Sequence, residues 1–408
     1  MDFVLKQASW LFTAQVIARI ISFFYVIFLA RALEVSDYGL YTIALAYFSL
    51  VSSIADFGFS RFLTREVTRQ KEQTAELLFS VSILRLTITS FIFALFAVFL
   101  YMVDPDKLRT ALILLAIIAV IPQVLGQTFD AIFIAMQKLQ FSAIALFCAN
   151  LTTVLTGVYL VLNGYGVFGA INALIFGQTL FFISALIFLL KKDPHAIFSQ
   201  VRLNTLKRIS QGSLPYGLLA ILGLLYFKVD VLMLTYMKGS YETGIYGAAF
   251  KFLEAIVFIP SSLAVALFPI MVKLHDLDKS KIKHLYFKSF KLMLLAGLFF
   301  MLVFYFVLPK FVKIYLPNYL ASISVLKVLA FVIPFMFVHV PGAQILLATD
   351  KYLKQIIYFS LITLGFNIIA NFIFIPKYGA VAAAWTSVAS EILSFIIFFH
   401  FVRVKFLK

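Results

Sequence analysis

Lys228, Asp230, Lys251 and Glu254 stand in stretches that are otherwise apolar. An ionisable side chain in hydrocarbon costs about 2.5–3.5 kcal/mol at a helix centre, and such residues usually face a bundle interior or a wet cavity. Two kinds of chemistry suit the set: an ammonium group can hold an anion such as phosphate, and a carboxylate can take up a proton or a coupling cation. Lys251 and Glu254 are also spaced i, i+3 on one helix face, so they can equally be a self-neutralising pair that merely lets the segment insert. The stretch that carries them, 244 to 272, contains 14 Leu, Ile, Phe and Val residues, which at about 0.3–0.6 kcal/mol each offset about 4–8 kcal/mol. It can therefore carry its charges into a membrane.

Arg19 lies in the middle of the first apolar run. Its guanidinium stays charged and can grip phosphate oxygens bidentately, or it can serve as the partner of a buried acid such as Glu391. The deep cations Arg19, Lys228 and Lys251 balance the deep acids Asp230, Glu254 and Glu391. A dedicated drug-cation pump would carry an excess of carboxylates and an anion carrier more Arg and Lys. Asp56 and Asp130, nearer helix ends, are expected to pair with Arg61, Arg85 or Lys138, while Arg85 and Lys327 are close enough to their helix ends to snorkel. His339, beside Pro341, is expected to be a packed histidine and not a ligand. The five histidines show no ligand spacing, and Cys148 is the only cysteine. An intrachain disulfide is thereby excluded, and no metal or other cofactor is expected. No phosphate-binding Gly loop, catalytic carboxylate pair, nucleophile elbow or channel filter occurs, so the chain reads as neither enzyme nor ATPase.

These residues must be positioned by membrane helices. The 408 residues are 63% hydrophobic and only 13% charged, with mean hydropathy +1.03; water-soluble chains are about 45–50% apolar. The net charge of +16 sits mainly in loops, which points to membrane orientation and sets nucleic acid aside. Twelve runs long enough to cross a bilayer fall at 8–33, 38–61, 78–102, 108–135, 141–163, 166–190, 213–237, 244–272, 288–309, 322–348, 354–375 and 379–403. The first is too long for a signal-peptide core, lacks a cleavage site and is expected to remain in the mature protein. Of the 34 Lys and Arg, 22 fall on the side of the two termini and 7 on the other (Arg31, Lys107, Arg109, Lys238, Lys310, Lys313 and Lys377), which predicts both ends in the cytoplasm.

A basic amphipathic linker at 191–212, with Ile197, Val201, Leu206 and Ile209 among Arg202, Lys207 and Arg208, divides an N-terminal six-helix bundle (1–190) from a C-terminal one (213–408). The halves echo one another. Gly39-Leu-Tyr41 matches Gly244-Ile-Tyr246, Ala135–Lys138 matches Ala348–Lys351, and Tyr165-Gly166 matches Tyr378-Gly379. Such a duplication relates the halves by a pseudo-twofold axis along the membrane normal. Pro122 and Pro334 fall at nearly equivalent positions and are expected to act as matched kinks, a hinge about which the halves rock. The amides of Asn150, Asn172, Gln178 and Asn367 are expected to face protein or water, because bare amides in hydrocarbon are costly. An all-α, duplicated body with a few buried charges and short outer loops is a transporter's inventory.

The run from Arg31 to Tyr41 (Arg-Ala-Leu-Glu-Val-Ser-Asp-Tyr-Gly-Leu-Tyr), followed by Asp56-Phe-Gly-Phe-Ser-Arg61, resembles the opening of the polysaccharide-transport (Wzx-like) flippases of the multidrug/oligosaccharidyl-lipid/polysaccharide exporter superfamily. The likeness extends more loosely through all twelve spans. It implies two six-helix bundles around a central cavity, residence in the cell (inner) membrane, and transfer of a polyprenyl-diphosphate-linked oligosaccharide to the outer leaflet. It further implies proton or sodium coupling and association with other polysaccharide-assembly proteins, as in O-antigen or capsule synthesis. By similarity to lipid-precursor flippases, Arg19, Lys251 and Glu254 are placed on the cavity wall, although Lys stands at 251 where a related flippase has Arg. The alternatives are a multidrug or small-solute cation antiporter on the same fold and a membrane polymerase or transferase of the same glycans.

Overall fold

The computed structural model describes residues 2–191, 202–275, 279–348 and 350–407. In chain order the α-helices are α1 (Asp2–Ala32), α2 (Val35–Asp56), α3 (Phe59–Arg69), α4 (Thr74–Val103), α5 (Lys107–Ile118), α6 (Val120–Ala135), α7 (Leu139–Leu160) and α8 (Gly166–Leu190). They continue with α9 (Leu203–Lys238), α10 (Ser240–Ile256), α11 (Phe258–His275), α12 (Lys279–Leu302), α13 (Leu308–Tyr315), α14 (Ser322–Leu329), α15 (Val332–Leu347) and α16 (Leu353–Val402). No strand occurs among the described residues.

Nine helical segments among the described residues are long and apolar enough to cross a membrane. The chain is thus an all-α, multi-pass membrane protein. Two of these segments, Leu139–Leu190 and Leu353–Phe406, run to 52 and 54 residues, whereas one crossing needs about 20. Each folds back where glycine supplies a positive φ that other residues adopt only under strain: Gly164 (φ 86) and Gly166 (φ 51) in the first, Gly379 (φ 58) in the second. As a result α7 packs along α8, and Thr386 reaches Asn371 across the bend in α16.

The predicted kinks are helix breaks. The span at 108–135 is divided into α5 and α6, with Pro122 in the first turn of α6, and the span at 322–348 into α14 and α15, with Pro334 in the first turn of α15. Proline is tolerated there because first-turn N–H groups have no intrahelical acceptor. Residues 192–201 of the predicted linker, including Ile197, lie outside the described residues; from Leu203 the chain forms one helix with the following span, with Pro215 inside it.

Two compact units form, Met1–Leu33 with Leu40–Leu224, and Glu34–Gly39 with Leu225–Lys408. In the first, α7 packs on α1 and α8, and α6 on α3, α4 and α8. Helix α3 buries Phe59, Phe62, Leu63 and Val67 on one face and turns Arg61, Arg65 and Arg69 outward at i, i+4, i+8. In the second, α15 lies against α11, α12 and α16, and α10 against α14 and α16. Residues 34–39 join this unit through glycine-mediated backbone contact. A Cβ at Gly39 would lie 1.8 Å from the Ser240 carbonyl oxygen, and one at Gly244 would lie 2.1 Å from that of Val35. These are the two glycines of the matched Gly-Leu-Tyr and Gly-Ile-Tyr sequences.

Candidate functional site

The C-terminal unit gathers three polar clusters, and the α9–α10 hairpin organises two of them. Gly239 (φ 86) turns the chain between these helices. Lys228 lies 11 residues before it and Lys251 12 after, so an antiparallel pair sets the two lysines at the same level. Glu254, one turn beyond Lys251, bridges them: Lys228 Nζ donates to Oε1 and Lys251 Nζ to Oε2, each at 2.5 Å. The side chains retain 16% (Lys228), 31% (Lys251) and 20% (Glu254) exposure. Formally the triad carries +1. The Lys228 ammonium also lies 5.6 Å from the Phe227 ring and 5.9 Å from that of Phe250, contacts that stabilise a cation in a poorly hydrated place. The expected i, i+3 pair is therefore present but incomplete. Its second cation, Lys228, comes from the neighbouring helix.

Two residues along α9, Asp230 points elsewhere. Only 5% exposed, its carboxylate accepts hydrogen bonds from Tyr246 OH at 2.9 Å, Ser387 Oγ at 2.5 Å and Asn371 Nδ2 at 2.6 Å. Asn371 Nδ2 also donates to Asn367 Oδ1 at 2.8 Å, and Thr386 Oγ1 donates to Asn371 Oδ1. Both arms of the bent α16 thus converge on one acid. Asp230 is a buried acid whose two oxygens are met by three donors, with Asn371 holding Asn367 and Thr386 in the same network. Among the described residues no group of three His, Cys, Asp or Glu could hold a metal ion.

The third cluster centres on Glu391. Tyr226 OH donates to its Oε2 at 2.9 Å, and His339 Nδ1 lies 3.8 Å from its Oε1 and 3.3 Å from Ser394 Oγ. The His339 ring packs on Phe398, centroids 4.4 Å apart. His339 is packed, as expected, but it packs beside an acid.

The N-terminal unit holds Arg19 at an exposed position on α1 and Pro122 at the head of α6. Arg85 does not snorkel: it is fully buried and donates to Asp56, Ser60 Oγ (2.6 Å), the Val124 carbonyl (2.7 Å) and Thr128 Oγ1 (2.6 Å). The strained turn at Phe57 (φ 42) and Gly58 (φ 77) sets Asp56 and Ser60 on either side of it, and that ready-made anion makes burial cheaper than reaching for the interface. Asp130 faces Ser142 of α7. Of the four amides, Asn150 accepts from Ser22 and Asn367 is buried beside Asn371. Asn172 instead donates to the Phe168 carbonyl in its own helix, which satisfies it without a neighbour.

Asn371, Thr386, Ser387 and Tyr226 were not legible as site residues. The available signal was the polar spacing along α16, with Asn367 and Asn371 one turn apart on one arm and Ser387, Glu391 and Ser394 on successive turns of the other.

Residues 4–275 match the family described as "Polysaccharide biosynthesis protein", and residues 215–373 match the family described as "MatE". No protein of curated function matches the chain. Among solved structures, the chain is similar to the lipid II flippase MurJ in an inward closed conformation (TM-score 0.78, 16% identity, 96% of this chain and 87% of the other). It is similar also to an inward-facing multidrug resistance MATE family transporter of the MOP superfamily (TM-score 0.76, 15% identity, 94% of each chain). A third likeness is to a MOP superfamily transporter from Pyrococcus furiosus, described as having reversed binding-pocket polarity (TM-score 0.68, 12% identity, 99% and 95% covered). At these identities the likenesses establish the fold, that of the MOP transporters.

Proposed function

The chain belongs to the polysaccharide biosynthesis protein family, and from that premise we propose that it is a flippase carrying a polyprenyl-diphosphate-linked oligosaccharide from the cytoplasmic to the outer leaflet by alternating access. It is a membrane transporter of MOP fold and not an enzyme. The observation that carries the substrate class is the Lys228–Glu254–Lys251 triad, a part-exposed cationic group held among apolar helices. A diphosphate can replace Glu254 as the partner of both ammonium groups, and the released carboxylate then offers a counter-charge that helps expel the substrate. Arg19 offers a further phosphate contact in the N-terminal unit.

The architecture proposed with this function is twelve spans in two six-helix bundles, 1–190 and 213–408, about a central cavity, joined by the basic segment 191–212. α1 and a double crossing by each of the two longest segments support that number. The Lys and Arg bias supports cytoplasmic termini in the cell membrane. Pro122 and Pro334 are the hinge positions. The Asp230 cluster is the coupling site, for a proton or sodium, and the partners are the lipid-linked glycan, membrane lipids and polysaccharide-assembly proteins.

The match of residues 215–373 to the MatE family, together with the buried acids in that stretch and beyond it, favours a second reading, a cation antiporter. Flipping of a headgroup-labelled polyprenyl-diphosphate glycan by the Lys228→Met, Lys251→Met double variant separates the two. Loss of flipping in a protein that still inserts supports the triad as the phosphate site; undiminished flipping refutes it.

A further inference from the structure

We infer that Glu391 and His339 form a proton-binding site in the C-terminal unit, separate from the Asp230 cluster. Glu391 is 8% exposed, and among the described residues no Lys or Arg stands within ion-pair distance of it; the basic group that does is His339, at 3.8 Å. A buried carboxylate faced by an imidazole is unlike the other buried ion pairs among the described residues. Asp56 and Asp104 each face an arginine, and Glu254 faces two lysines, so in those pairs the cation is permanent or nearly so. In the Glu391–His339 pair the opposite charge exists only when a proton is present, because histidine is the side chain whose charge changes near neutral pH. The pair therefore has one proton fewer or one more, and the ion pair forms only in the second state.

The surroundings serve both states. Tyr226 OH donates to the carboxylate at 2.9 Å, a bond that favours the ionised acid. Ser394 Oγ, 3.3 Å from His339 Nδ1, can accept from a protonated ring or donate to a bare one, since a hydroxyl does either. The titratable groups facing the pair are Tyr226 and, within electrostatic reach of Tyr226, Asp230 on α9 and Tyr246 on α10. Helix α14 contributes Lys327, whose ammonium lies over the Tyr305 ring at 5.3 Å. Glu391 and Ser387 stand one turn apart on α16, and Ser387 hydrogen-bonds Asp230. Tyr226 therefore bonds Glu391 on one side and lies within electrostatic reach of Asp230 and Tyr246 on the other, while Tyr246, Ser387 and Asp230 form their own hydrogen-bonded group. The step is simple in its balance: one proton from water binds the pair and one returns to water, with no bond to carbon made or broken.

The test is infrared titration of the purified full-length protein in detergent, which needs no substrate and so stands apart from any flipping assay. As the pH is lowered from 8 to 5, wild type should show the carbonyl band of a newly protonated buried carboxylic acid or the ring bands of a newly protonated imidazole. Glu391→Gln should abolish the carboxyl component, and His339→Asn the ring component. Tyr226→Phe keeps both groups and removes one hydrogen bond to the ionised acid, so it should displace the half-titration pH by about one unit. If Glu391→Gln fails to fold, that displacement alone decides. Bands unchanged in Glu391→Gln and His339→Asn, or a Tyr226→Phe titration superimposable on wild type, would overturn the site.

Discussion

Replacing Glu254 with Gln keeps the shape of the side chain and removes the one negative charge that two ammonium groups share. Both contacts are 2.5 Å, and breaking a buried pair by removing one partner costs about 3–5 kcal/mol. Here the three side chains keep 16–31% exposure, so water and the Phe227 and Phe250 rings recover part of that loss. The expected destabilisation is about 2–4 kcal/mol, read from unfolding in mixed micelles by loss of helical signal. The triple variant Lys228→Met, Lys251→Met, Glu254→Gln should return to within about 1 kcal/mol of wild type, because replacing a whole buried ionic group by apolar ones is often neutral. Transport should separate from stability: Glu254→Gln should hold diphosphate more tightly and release it more slowly, whereas the triple variant should not bind it. A Glu254→Gln protein within about 0.5 kcal/mol of wild type would mean that the lysines are solvated separately and that no triad exists.

Other consequences can be checked singly. Gly39→Ala should prevent accumulation of monodisperse protein, since its Cβ would lie 1.8 Å from a carbonyl oxygen, while Gly365→Ala, with nothing within 4 Å, should be tolerated; elution profiles of the two in detergent compare them. Arg85→Met should destabilise by about 3–5 kcal/mol and Asp56→Asn, Arg85→Met together by less, in the same unfolding assay. Asp230→Asn should leave glycan binding intact yet make flipping insensitive to sodium and pH gradients. The Pro122→Ala, Pro334→Ala double variant should insert normally and flip more slowly, and unchanged flux would remove the hinge.

The all-α membrane class, the paired break positions and the Lys251–Glu254 pair were legible because each depends on local pattern: apolar run length, proline placement and i, i+3 spacing. Lys228 as the second partner of Glu254 was not, because it depends on the register of a hairpin whose turn, at Gly239, must be located to within a residue. The Asp230 cluster was hidden for a related reason. Asn371 and Ser387 come from opposite arms of a helix bent at Gly379, and neutral polar residues in apolar spans carry little signal one by one. Arg85 was legible as a candidate partner for Asp56, but its burial was not, because snorkelling is judged from depth along a helix, whereas α4 meets Asp56 only in the folded unit. The placement of residues 34–39 with the C-terminal unit rests on bare backbone contact at Gly39 and Gly244, which composition does not report.

The central claim is tested most directly by purified protein reconstituted into vesicles with a polyprenyl-diphosphate oligosaccharide whose headgroup carries a quenchable label. The account predicts protein-dependent movement of that headgroup between leaflets, lost in the Lys228→Met, Lys251→Met variant, with no export of soluble organic cations. Cation export driven by a proton or sodium gradient, with the labelled headgroup remaining in its leaflet, would contradict it.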